Sequence, residues 1–126
     1  LTLTDDKKTW PTEIRLRQDR RSISVKFEDG AGFDLPAEYL RVLSPSAEVQ
    51  GHSRDQRVTV PGKSDVAVTA VDPVGNYAVR LTFSDGHNSG LFSWTYLRKL
   101  GDEREALWAE YLGELKAKGL SREPRR

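Results

Sequence analysis

Apolar and polar residues alternate with a period of two over residues 12–18, where Ile14 and Leu16 interleave with Glu13, Arg15 and Arg17. The same pattern runs over residues 22–28 through Ile23, Val25 and Phe27. Such alternation puts one row of side chains on each face of a strand. Asp19-Arg20-Arg21 between the two runs has hairpin length. Asp29-Gly30 then turns the chain into a short apolar segment around Phe33 and Leu35. Pro36 fits the first turn of a short helix carrying Tyr39, Leu40 and Leu43. Ser44-Pro45 reads as a stop and restart, with Ser44 as N-cap and Pro45 as first helical residue. Residues 50–56 read as loop, and 58–60 as a short strand ended by Pro61-Gly62. From about Asp65 the pattern returns. Val66, Val68 and Ala70 alternate, residues 72–76 turn, and 77–83 form a strand through Val79 and Leu81. Asp85-Gly86 turns again, Leu91 and Phe92 make a short return, and Ser93 caps a helical turn with Trp94 and Leu97. A final helix from Asp102 to about Lys118 has Asp102 as cap and Glu105 three residues on. Its apolar face is Leu107, Trp108, Tyr111, Leu112 and Leu115, and Gly119 ends it.

These elements come in two copies. Phe27-Glu28-Asp29-Gly30 leads to Tyr39-Leu40-Arg41-Val42-Leu43, and Phe83-Ser84-Asp85-Gly86 leads to Tyr96-Leu97-Arg98-Lys99-Leu100. The offset is 56 residues at Asp-Gly and 57 at Tyr-Leu-Arg, so the second copy gains one residue between them. A repeat of this length implies two similar units packed face to face, neither closing a core alone. The expected class is α+β, mostly antiparallel, with an internal strand-turn-helix repeat and a C-terminal helix packed on the sheet. Residues 1–10 read as a flexible arm, 11–119 as one domain and 120–126 as a flexible basic tail.

Composition narrows the function more by exclusion than by signature. The 126 residues contain no Cys, which removes disulfides, thiolate zinc sites, cysteine-held iron–sulfur clusters and thiol nucleophiles. No apolar run approaches the roughly 18 residues of a membrane span, and residues 1–8 have no hydrophobic signal core. Cytoplasmic residence is the expectation, with no membrane partner. The lack of any Met points to a start upstream of Leu1. With 20 basic against 19 acidic residues, the balance is wrong for a broad phosphate-binding surface. The cluster Arg15, Arg17, Arg20 and Arg21 reads as a solvated strand face, and nucleic acid is not an expected partner.

Chemistry could reside at two places. Asp85-Gly86-His87-Asn88-Ser89-Gly90 breaks the repeat, putting His87 where the first copy has Ala31, just past a tight turn. Glu48-Val49-Gln50-Gly51-His52 places a carboxylate four residues before the other histidine, on the same face if helical. If the repeat brings these segments together, His87, His52, Glu48 and Asp85 form a mixed nitrogen/oxygen set suited to zinc or iron. The competing readings are an exposed turn histidine and an ordinary loop. No Gly-x-Ser-x-Gly elbow surrounds Ser44, Ser46, Ser89 or Ser93. Gly62-Lys63-Ser64 resembles the tail of a phosphate loop, but the preceding glycine, Gly51, lies eleven residues upstream instead of five. No carboxylates are marked as a catalytic pair, so the chain alone is not expected to be an enzyme and no cofactor is assigned.

Residues 40–52, Leu-Arg-Val-Leu-Ser-Pro-Ser-Ala-Glu-Val-Gln-Gly-His, and 85–97, Asp-Gly-His-Asn-Ser-Gly-Leu-Phe-Ser-Trp-Thr-Tyr-Leu, carry a family resemblance. The chain resembles the gamma-butyrobetaine hydroxylase-like N-terminal domain in its short stand-alone bacterial form, over roughly residues 11–105. In carnitine-pathway dioxygenases a similar domain precedes an iron- and 2-oxoglutarate-dependent catalytic domain. There it carries a zinc site of three cysteines and one histidine and contributes to dimer contacts. The resemblance places those cysteines at Ser44, Ser46 and Val49 and the histidine at His87, so that zinc site is not expected to carry over; nor is the hydroxylase activity, which belongs to the catalytic domain with its iron-binding His and Asp residues. The domain is also similar to a C-terminal extension of some Mrp-type P-loop ATPases that carry iron–sulfur clusters. Together these imply a non-catalytic interaction domain linked to iron or iron–sulfur protein maturation. Its expected partner is an Mrp-type carrier ATPase or an iron enzyme, with a homodimer as a further arrangement. The contact residues would be Arg41, Ser44, Ser46, Asn88, Ser89 and Arg98. The alternative is a zinc or iron protein, or a subunit of a metal-dependent oxidoreductase, using His52 and His87.

Overall fold

The computed structural model describes residues 10–50 and 57–124, except the side chains of Ala47 and Glu48. In chain order the elements are β1 (Pro11–Leu16), β2 (Ser22–Phe27), β3 (Gly32–Pro36), α1 (Ala37–Val42), α2 (Ala47–Gln50), β4 (Val68–Val74), β5 (Ala78–Phe83), β6 (Leu91–Ser93), α3 (Trp94–Asp102) and α4 (Arg104–Ala117). The strands form two antiparallel sheets, β1-β2-β3 and β4-β5-β6. The inward rows Ile23, Val25 and Phe27 on β2 and Val79, Leu81 and Phe83 on β5 are buried in one shared core. The class is α+β, as the repeat and the alternation predict. No helix among the described residues is long and apolar enough to cross a membrane.

The repeat holds down to single hydrogen bonds. Both β1 and β4 carry an irregularity, between Pro11 and Glu13 and between Val68 and Ala70. The intervening Thr12 and Thr69 hydroxyls donate to Lys26 O and Thr82 O at 3.4 and 3.2 Å. Both Asp-Gly turns place glycine in the left-handed region, Gly30 at φ 92° and Gly86 at φ 91°, where a Cβ is penalised. Each aspartate accepts from the amide two residues on, Ala31 N to Asp29 and His87 N to Asp85, both at 3.1 Å, the side-chain turn typical of Asp. The extra residue of the second copy therefore lies between His87 and Gly90. It shortens β6 to three residues against five in β3.

The two units cross-brace each other. The Tyr39 hydroxyl donates to Leu100 O at 2.7 Å, and the Tyr96 hydroxyl donates to Leu43 O at 2.5 Å. Carbonyls in a helix's last turn have no intrahelical partner, so each unit's tyrosine satisfies the helix end of the other. The arginines two residues after these tyrosines do the same with the opposite Asp-Gly turn. Arg41 binds Asp85 and Arg98 binds Asp29.

Some local expectations are corrected. Asp102 is not a cap: α3 runs through it, its carboxylate accepts from Arg98 four residues back, and the chain bends at Glu103 before α4. Pro73 lies inside β4 instead of a turn; β4 is a sheet edge, where a missing N–H removes no ladder bond. Residues 58–60 are irregular, held by Val58 N to Val49 O at 2.6 Å and by the Tyr111 hydroxyl on Val60 O. Helix α2 starts at Ala47, with Ser46 O accepting from Val49 N and Gln50 N, so Ser44 is released from the capping role. On α4, Tyr111 and Leu115 are buried, whereas Leu112 is 39% exposed. Ser93 caps α3 as expected, accepting from Tyr96 N at 3.1 Å. Of the basic tail, residues 120–124 lie along the loop at 62–64. Gly62 N donates to Ser121 O and Ser64 N to Arg122 O, while Arg122 forks onto Glu38 at 2.7 and 2.8 Å.

Candidate functional site

Two junctions are created where the helix of one unit meets the Asp-Gly hairpin of the other, and they have diverged. In the first, Phe33 of the hairpin arm lies over Gly101, where a Cβ would come within 2.6 Å of the ring. Arg98 stacks on Phe27 and Phe33 at 5.2 and 5.8 Å. In the second, the small residue is on the hairpin side. Gly90 lies against Ser44, and a Cβ at Gly90 would fall well inside the 3.0 Å that real Cβ atoms keep from a neighbour. The close approach seals Ser44, which has no exposed surface. Apolar packing in one junction is thus replaced by polar contacts in the other.

The polar junction gathers most of the residues singled out from sequence. His87 is buried, its Nε2 2.9 Å from Ser44 Oγ and its ring 6.1 Å from that of Phe83. Ser44 Oγ also accepts from Ser46 N at 3.3 Å, and Ser46 Oγ meets Ser89 Oγ at 2.9 Å. Arg41 Nε donates to Asp85 Oδ2 at 2.7 Å. Asn88 and Ser89 form the exposed rim. Arg98 is not part of this site, since it completes the apolar junction with Asp29 and Asp102. His52 lies outside the described residues, as does the side chain of Glu48, so the four-residue metal set is not assembled on what is described. Among the described residues no three His, Asp or Glu are grouped to hold a metal.

Three participants escaped sequence reasoning. Lys63 Nζ bonds Asp85 Oδ2 at 2.7 Å, Gln50 Nε2 donates to Ser44 O at 3.0 Å, and Gly90 makes the close approach. Lys63 stood out only as the tail of a failed phosphate loop, and its partner lies across the fold. Burial raises the Asp85 pKa, but hydrogen bonds from Lys63, the His87 amide and Arg41 outweigh it and bring the carboxyl to about 2. The group is a fixed anion between two cations. The thiolate zinc site implied by the resemblance does not fit this donor set. Ser44 and Ser46 offer neutral hydroxyls, Val49 offers no donor, and His87 Nε2 is engaged with Ser44.

The early arginines are engaged within the protein: Arg15 with Glu13, Arg17 with Asp34, and Arg20 with Thr69 O. A nucleic-acid surface gains no support from them. Ser44 and His87 have the spacing of a nucleophile and base, yet Ser44 lies fully covered beneath Gly90, and a nucleophile must reach its substrate.

The sequence model of the gamma-butyrobetaine hydroxylase-like, N-terminal family matches residues 14–98, a span that includes both junctions. Among solved structures, an NMR solution structure is 45% identical with a TM-score of 0.79, over 93% of this chain and 92% of its own. A second NMR solution structure is 44% identical with a TM-score of 0.78, over 93% and 87%. A crystal structure of a DUF971-family protein of unknown function from Acidithiobacillus ferrooxidans is 45% identical with a TM-score of 0.63, over 76% and 97%. No curated protein matches the chain.

Proposed function

The chain belongs to the gamma-butyrobetaine hydroxylase-like N-terminal family, and from that premise we propose that it is a non-catalytic docking domain whose contact surface is the polar junction. One observation carries the reading. Two otherwise matched junctions differ in that one is closed by Phe33 on Gly101, while the other presents a polar rim, Asn88 and Ser89, on a base sealed by Gly90 and Ser44. The rim is an exposed loop on a rigid platform, an arrangement that suits recognition. The partner class follows from the resemblance: an Mrp-type iron–sulfur carrier ATPase or an iron enzyme, in iron or cluster maturation.

The test is calorimetric titration of a purified Mrp-type carrier ATPase with the wild-type chain and with the double variant Asn88→Arg, Ser89→Arg. Both positions are exposed and the variant gives up the Ser46–Ser89 hydroxyl bond, so a stability loss of no more than about 1 kcal/mol is expected while affinity falls about 100-fold, the loss typical of disrupting an interface centre. Binding within about threefold of wild type would remove the junction from the interface. The rival reading, zinc or iron held through His52 and His87 with Glu48 and Asp85, is separated by anaerobic titration with zinc(II) and iron(II). Saturable amide shifts near His87 below about millimolar metal transfer the assignment to it.

A further inference from the structure

Arg122, close to the end of the chain, ties three parts of the fold together. Its Nε and Nη2 fork onto Glu38 of α1 at 2.8 and 2.7 Å, and its guanidinium lies 5.3 Å over the Trp108 ring of α4. Its backbone carbonyl accepts from Ser64 N at 3.0 Å, while the carbonyl of Ser121 accepts from Gly62 N at 2.9 Å. A chain end is ordered only where it is tied down, and Glu38 supplies a firm tie. Glu38 is buried, and a buried carboxylate stripped of its counter-charge is costly. The Arg122 side chain is 46% exposed, so the clasp opens on its outer side. Position 95, which corresponds to Glu38 in the second copy, is a threonine. The clasp is thus an addition to the repeat that builds the two junctions. What it holds is the loop at 62–64, because the two tail hydrogen bonds fall on either side of Lys63. The Lys63 ammonium reaches Asp85 Oδ2 at 2.7 Å, and Asp85 also accepts from Arg41 and from the His87 amide. A flexible lysine stem keeps one position only when its backbone is fixed.

We propose that the C-terminal tail is a latch on the polar junction. Arg122, clasped by Glu38, holds the 62–64 loop so that Lys63 stays on Asp85, and opening the clasp withdraws Lys63. Arg122 is then a positioning residue that acts on the junction through Lys63. The path runs over contacts of 2.7 to 3.0 Å, from Glu38 to Arg122, to the loop and on to Asp85. That the latch regulates binding rests on the docking reading; that it positions Lys63 does not.

The full chain is acylated to low extent with an amine-selective reagent and each lysine is read by mass spectrometry. Amide hydrogen exchange and amide shifts are followed by NMR on the same proteins. Wild type is compared with the double variant Glu38→Gln, Arg122→Gln, which removes both charges of the clasp together and so strands no buried charge. Arg98→Ala, which loosens the other junction, controls for general destabilisation. The expected result is exchange at Gly62 and Ser64 at least about tenfold faster, since both amides lose their acceptors. Lys63 should acylate about threefold faster, the freedom returned by losing an ion pair of modest strength. The exposed Lys26 and Lys99 stay at their wild-type rates. The His87 amide shift completes the test: the clasp variant moves it in the wild-type background and moves it no further in Lys63→Ala. Protected amides at Gly62 and Ser64 overturn the latch, because the tail then holds without its clasp. Faster exchange with Lys63 no more reactive, or additive shifts at His87, overturns the coupling to the junction. An equal rise at Lys63 in Arg98→Ala overturns it as well. The expected lysine and amide changes with no carrier binding in calorimetry leave the latch standing and the docking reading fallen.

Discussion

Gly90→Ala is the substitution that most directly tests how the polar junction is built. Gly90 shows no positive φ, so alanine brings no backbone strain and the whole effect is steric. The new Cβ would overlap Ser44 Oγ, with Pro45 Cδ at 3.2 Å and Phe92 Cε1 at 3.4 Å closing the other sides. Two escapes are open. Ser44 can rotate, giving up His87 Nε2 and leaving buried polar atoms unpaired, which costs about 1–3 kcal/mol. Alternatively the β6 strand can shift, an overpacking response of about 1–3 kcal/mol. A loss of about 2 kcal/mol is expected from urea unfolding, read as a lower midpoint at unchanged slope. The cycle with Ser44→Ala isolates the cause. Removing Oγ removes the overlap, so the double variant should be no less stable than Ser44→Ala alone, with a favourable coupling of at least about 1 kcal/mol. Gly90→Ala within about 0.5 kcal/mol of wild type, or simple additivity in the cycle, refutes the reasoning.

Tyr39→Phe and Tyr96→Phe remove a buried and a half-buried hydroxyl, in that order, from a helix-end carbonyl of the other unit and are expected to cost about 1–1.5 kcal/mol each. Their additivity in urea unfolding checks that the two braces act separately. Desolvation raises the pKa of Tyr39, Tyr96 and Tyr111, the last two to about 12. Since the folded values exceed the unfolded 10.0, stability is complete below pH 10 and falls as pH climbs toward 12. An ultraviolet titration should show these three ionising only with alkaline unfolding, and early ionisation of all four tyrosines would contradict their burial. Asp85 behaves in the opposite sense: its folded pKa of about 2 lies below the ordinary 3.8. Its contribution is therefore present above pH 3.8 and lost as pH falls through 2. The shift bounds that contribution at about 2.5 kcal/mol, which solvent screening reduces to about 1 kcal/mol. Wild type should exceed Asp85→Asn by that amount near neutral pH, and a gap undiminished at pH 2 rules the linkage out.

What the amino-acid sequence determined by itself is the set of local decisions. Strand alternation through Ile23, Val25 and Phe27, the Asp-Gly turns at positive φ, the Ser93 cap and the Gly119 stop depend on a few neighbouring residues, so they are legible without the fold. The repeat is legible for the same reason, and it marked His87 as the point of departure. Its partner was not legible. Ser44 lies 43 residues from His87, Asp85 44 from Arg41 and Asp29 69 from Arg98, and nothing local says which hairpin meets which helix end. Asp102 shows the limit most clearly, because a competent cap became a helical residue once Arg98 and the Asp29 turn claimed its side of α3. Pairings between distant residues are set by how two sheets and their helices share one core. Only the tertiary structure therefore decided that one copy closes on Phe33 and Gly101 while the other brings Arg41, Lys63 and His87 into a polar junction. The energy of burying that shared core exceeds what any single turn or cap supplies.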